Sequence, residues 1–211
     1  MTSNTAPAAP AADIFPHDRV VFFCDAVFAI AMTLLAIELK LPGHGAGDAA
    51  AAELQGTFIS YVISFMVTGV FWTSHMLTWK YVTRVNGKVV WLTLMQLMFV
   101  ALMPFATREY SMSFVSGDSL RCAMYAGVVT MVSFFSLRTR LVVVRQEDLR
   151  DKIGVQGTRW LLWRGGVPLI VFALMVPLAF VVPSWSIGLT FFMIFPLLTI
   201  VRRRIFRNPN P

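Results

Sequence analysis

Two ionisable side chains stand where they are expensive. Asp25 lies inside the apolar run from Arg19 to Pro42, and His75 lies near the end of a second apolar run, between Phe58 and Lys80. A charge at the centre of a membrane helix costs on the order of 2.5–3.5 kcal/mol on insertion scales, so Asp25 needs a partner. Arg19 is near in sequence, but six residues at 100° each set the two side chains about 120° apart and roughly 9 Å along the axis. The second run offers better donors. Ser64, Thr68, Phe71 with Trp72, and His75 follow at spacings of three and four, a semi-polar stripe on one helix face. In an antiparallel hairpin Asp25, Trp72 and His75 share a depth, and an indole N–H and an imidazole N–H both donate to a carboxylate. Such an Arg19, Asp25, Trp72 and His75 cluster has two readings: an interhelical hydrogen-bonded anchor, or a proton-carrying pair of the kind found in proton-coupled secondary transporters. A metal site is not expected, because no third ligand of suitable type lies nearby.

The elements that position these residues are membrane helices. The chain has 211 residues, 57% hydrophobic and 14% charged, with a net charge of +7 and a mean hydropathy of +0.68. A water-soluble surface needs more charge than this, so an all-α integral membrane protein is expected. Six spans are predicted, at 19–41, 57–80, 88–107, 121–144, 160–182 and 184–201. Residues 1–18, rich in Ala and Pro and free of Lys and Arg, read as a disordered N-terminal tail rather than a secretory signal. Residues 19–206 form the membrane domain and 207–211 a short C-terminal tail.

Orientation follows from the basic residues. Fifteen Lys and Arg fall in the connections and terminal flanks on one side, against Lys40, Arg108 and Arg121 on the other. The positive-inside rule therefore puts both termini in the cytoplasm. The segment 138–153, with Arg, Lys, Glu147, Asp148 and Asp151, reads as a solvated extension of the fourth helix that stops at Gly154. Cys24 and Cys122 lie in apolar segments without redox or metal spacing and read as packed free thiols. Nothing suggests an enzyme: there is no nucleophile–base pair, no His-Glu-x-x-His and no carboxylate cluster at the membrane surface.

Three motifs carry a resemblance. Arg19, Phe23, Cys24 and Asp25 resemble the Arg-x-x-x-Phe-Ser-Asp signature of the transmembrane protein 175 family of potassium channels; Phe71, Trp72 and His75 resemble its Phe-Trp-x-x-His; and Leu102-Met103-Pro104-Phe105-Ala106-Thr107 is similar to its Leu-Pro-Phe-Ala-Thr. Cys24 replaces a serine and Thr93 stands where the family has asparagine. The resemblance implies a homotetramer in a prokaryotic plasma membrane, with the first helix of each subunit lining a potassium-permeable pore and no bound cofactor besides the permeant ion. It also implies that Ile30, Leu34 and Ile37 form an apolar constriction, with the Thr33 hydroxyl beside it. No Thr-Val-Gly-Tyr-Gly filter is present. Glu38, at the outer end of the same helix, is either part of a carboxylate ring at the pore mouth or an interfacial residue paired with Lys40.

Overall fold

The computed structural model describes residues 15–39, 48–83 and 85–207. Residues 1–14, 40–47, 84 and 208–211 lie outside the described residues; the expected tail is therefore described only at 15–18, where the first helix already begins at His17. Every element among the described residues is helical: α1 His17–Ile37, α2 Asp48–Trp79, α3 Gly87–Ala101, α4 Met103–Ser116, α5 Ser119–Gln146, α6 Leu149–Leu178 and α7 Ser184–Arg207. Five stretches have the length and hydropathy of membrane spans: α1, 53–79 of α2, 87–114 across α3 and α4, α5 and α6. The segment 184–201 lies on α7, whose 24 residues reach about 36 Å at 1.5 Å per residue. This is an all-α, multi-pass integral membrane protein.

Local chemistry sets the helix ends. The Asn86 side chain accepts from Val89 N at 3.0 Å to start α3, and Asp118 accepts from Leu120 N at 2.9 Å to start α5. Gly117, at φ 66°, closes α4 in the left-handed conformation that glycine adopts without strain. A one-residue turn at Leu102 separates α3 from α4 just ahead of Pro104, which has no N–H to give the helix ladder.

Two boundaries differ from the expected ones. The third span continues past 107 to Ser116, because its polar continuation finds partners: Arg108 faces Glu38, and Glu109 pairs with Arg121 of α5. The fourth span stops at Gln146 rather than at Gly154. Glu147 is only 5% exposed, accepting from Thr83 N at 3.0 Å and from the Thr83 hydroxyl, with Lys152 Nζ at 3.4 Å. Asn86 Nδ2 donates to Gln146 Oε1 at 3.0 Å beside it. These bonds to the α2–α3 connection turn the chain, with Asp148 at φ 47°, and Gly154 (φ 71°) becomes a kink within α6. The 138–153 segment is therefore not uniformly solvated, since Arg140 and Glu147 are both buried.

α5 sits at the centre, packed on α3, α4 and α6; α2 packs on α4, and α7 on α6. α1 lies along α2, α3 and α4 and contributes one stripe to the core: Cys24, Phe28, Ala31 and Leu35, at spacings of four, three and four. Its opposite face is left bare.

Candidate pore helix and its polar anchor

The bare face of α1 carries Phe22, Phe23, Ile30, Leu34 and Ile37, with Ile30 58%, Leu34 40% and Ile37 68% exposed in the single chain. Alternation of a buried stripe at 24, 28, 31 and 35 with an exposed one at 30, 34 and 37 follows from the 3.6-residue helical repeat. An apolar face on a membrane helix meets lipid or another helix, so its exposure within one chain carries no penalty. Thr33 lies on the exposed side, where its Oγ1 donates to Ile30 O at 2.8 Å, leaving hydroxyl lone pairs free to face outward.

Asp25 is held from α2. Trp72 Nε1 donates to Asp25 Oδ1 at 2.9 Å, a charge-assisted bond between two helices. His75, one turn further on, points elsewhere. It is 3% exposed, its ring 5.6 Å from the Phe28 ring and 5.5 Å from the Trp79 ring, and its Nε2 has no hydrogen-bond partner among the described residues. Among the described residues no hydrogen bond joins Asp25 to His75. Arg19 is exposed and forms no ion pair among the described residues, as its angular separation from Asp25 on the helix requires. Four candidate residues thus divide into one bonded pair, Asp25 and Trp72, a separately buried His75, and a free Arg19.

The remaining polar stripe of α2 faces the core. Ser64 Oγ donates to the Tyr125 hydroxyl at 3.1 Å, Thr68 Oγ1 donates to Ser64 O at 2.8 Å, and Phe71 packs 6.1 Å from Phe172. Tyr125 stacks on Tyr110 at 4.7 Å. Thr93, in place of the expected asparagine, is 1% exposed, and its hydroxyl has no partner. Cys24 and Cys122 are both buried free thiols. No group of three His, Cys, Asp or Glu among the described residues could hold a metal.

At the other end of α1, Glu38 approaches Arg108 of α4, Oε2 to Nε 4.0 Å. The two line a cleft of about 380 Å³ with Glu53, Thr57 and Arg121. The pairing with Lys40 falls outside the described residues. Sequence reasoning did not find Arg108 as the partner of Glu38, nor Phe28 and Trp79 as the rings beside His75.

This arrangement can anchor a helix and expose an apolar stripe, but it contains no chain of donors and acceptors linking the two ionisable residues. Comparison with known proteins agrees with such a scaffold. The family described as the endosomal/lysosomal potassium channel TMEM175 matches residues 19–104, covering α1, α2, α3 and the start of α4. A potassium channel of Chryseobacterium sp. is 25% identical over 81% of this chain and 86% of its own length. One from Streptomyces collinus is 40% identical over 42% of this chain and 45% of its own. The crystal structure of a lysosomal potassium-selective channel TMEM175 homologue from Chamaesiphon minutus has the same fold, with a TM-score of 0.67, 24% identity, and 90% and 97% of the two chains covered. A variant of the potassium channel MtTMEM175 superposes with a TM-score of 0.61 at 16% identity, over 96% of this chain and 100% of its own. The signature residues on α1 and α2 thus lie within the region that matches the family model, residues 19–104, and the chain shares its fold with the TMEM175 homologue.

Proposed function

We propose that this chain is one subunit of a potassium-permeable cation channel, a homotetramer in which α1 of each copy faces a central pore. The observation that carries the reading is the exposed apolar stripe of Ile30, Leu34 and Ile37, opposite a stripe that packs α1 onto its own bundle. Four copies arranged about an axis on that face bring the three side chains into stacked rings. A narrow apolar ring gates by excluding water, since an ion cannot shed its hydration shell into a wall without oxygen ligands. Thr33 supplies a hydroxyl next to these rings. Glu38 is held near Arg108, which sets its position at the mouth and offsets part of its charge. The potassium-channel relatives support the ion assignment. The charge asymmetry supports an orientation with both termini in the cytoplasm, and the bacterial relatives support a prokaryotic plasma membrane.

The competing carrier reading needs Asp25 and His75 to exchange protons. Asp25 is bonded to an indole N–H, which does not relay protons, and His75 packs beside the Phe28 and Trp79 rings. The test is reconstitution of the purified protein in planar bilayers under opposed potassium and proton gradients. A channel gives a current that reverses near the potassium equilibrium potential and does not saturate with proton gradient. Current absent without a proton gradient would favour the carrier instead.

A further inference from the structure

A second polar site lies away from α1, where α2, α5, α6 and α7 meet. On α5, Ser133, Ser136 and Arg140 follow at spacings of three and four, all buried, and Arg140 is only 1% exposed. Arg140 Nη1 donates to Leu161 O at 3.2 Å, and Nη2 donates to Ser74 O at 3.1 Å and to the Ser74 hydroxyl. Every one of these partners is neutral, and the buried Nε has none. Gly165 of α6 leaves room for the guanidinium: a Cβ there would stand 3.1 Å from Nη1 and 3.2 Å from Cδ.

The charged group that faces Arg140 is another cation, Arg164 of α6, which in turn feels Arg202 of α7. Among the described residues no carboxylate pairs with any of the three. Arg140 and Arg164 line a common cavity of about 40 Å³, together with Ser74, Ser133, Ser136 and Gly165 at its polar end. Phe172 and Phe195 stand in its apolar wall. A single water needs roughly 10–15 Å³, so the space is larger than one water and admits a group of several atoms. A buried guanidinium is stable when a carboxylate or phosphate neutralises it, and its planar fork of donors matches a tetrahedral oxyanion.

We propose that Arg140 and Arg164 hold one phosphate group in this cavity, which neutralises the two guanidinium charges. The group comes either from the headgroup of an anionic phospholipid, its chains lying on the apolar wall, or from free inorganic phosphate. It bridges α5 and α6 by charge, while α7 supplies apolar wall through Phe195. This inference does not rest on the channel reading, and each can fail without the other.

The experiment uses the full chain in mild detergent. Native mass spectrometry compares retention of phosphatidylglycerol with phosphatidylcholine. In parallel, thermal unfolding of delipidated protein is followed with inorganic phosphate against chloride of equal ionic strength. Preferential retention of one phosphatidylglycerol per chain identifies the lipid; a saturable rise in unfolding temperature with phosphate alone identifies the free ion. In either case Arg164→Gln weakens binding about tenfold, the scale of one lost charge-assisted contact (about 1.4 kcal/mol). Gly165→Ala, which keeps every charge but crowds Arg140, weakens it too, while Arg164→Lys retains most of it. Two results overturn the proposal: wild-type protein with no preference in either arm, a measurement that needs no variant to fold, or binding that is unchanged in both Arg164→Gln and Gly165→Ala.

Discussion

The bond between Asp25 and Trp72 is a side-chain hydrogen bond that ties α1 to α2, and its strength can be measured. Trp72→Phe removes the Nε1 donor while keeping an aromatic ring; Asp25→Ala removes the acceptor; the double variant removes both. Hydrogen bonds to charged groups contribute about 1.5–3 kcal/mol in water-soluble proteins. Interhelical bonds in membranes average about 0.6 kcal/mol and reach about 1.7. Asp25 is half-buried rather than sealed, which lowers the figure, whereas the 2.9 Å geometry and the ionised acceptor raise it. A coupling energy of about 1 kcal/mol is expected, a several-fold change in the folding equilibrium. Reversible unfolding in mixed micelles, titrated with a denaturing detergent across the four proteins, gives the coupling directly. A value below about 0.3 kcal/mol lies within ordinary additivity and would refute the claim that this bond anchors α1.

Three further outcomes follow from the packing and the charge pattern. Gly188→Ala places a Cβ 2.5 Å from Ile63 Cδ1 and 2.9 Å from the Tyr110 hydroxyl, so the Ile63 chain end must turn away and Tyr110 or α7 must give; a loss of about 1–3 kcal/mol is expected in thermal unfolding. Glu147→Ala strips Thr83 of its acceptor and Lys152 of its counter-charge, and a loss of about 1–3 kcal/mol should come with faster proteolysis at the α5–α6 turn. Reporter fusions at 86 and 153 should report the cytoplasm and one at 115 the outside; an outside signal from 153 would contradict the orientation.

One face of α1 was legible because Ile30, Leu34 and Ile37 obey helical spacing; the inward stripe of Cys24, Phe28, Ala31 and Leu35 emerged only with the packing. The α2 stripe was legible for the same reason, and Trp72 meets Asp25 because two antiparallel helices bring equal depths together. The orientation of His75 was not, since its depth fits Asp25 equally well and only the packing against the Phe28 and Trp79 rings shows where the ring turns. The stop at Gln146 was hidden too. Gly154 is the stronger local breaker, but Glu147 is recruited by Thr83, 64 residues away. Arg140 was masked by its neighbours: it reads as one more cation in a basic flank, and only its register with Ser133 and Ser136 marks it as inward-facing.

The most direct test of the central claim is the basal potassium current of Leu34→Asn in a planar bilayer, beside Met98→Asn as control. Both positions are exposed in the single chain, at 40% and 47%, but only Leu34 lies on the face assigned to the pore. Four amides around the axis would hydrate the constriction, so Leu34→Asn should conduct more than wild type and discriminate less among cations, while Met98→Asn alters stability without a leak. If Leu34→Asn assembles fully and conducts as wild type does, α1 does not form the constriction.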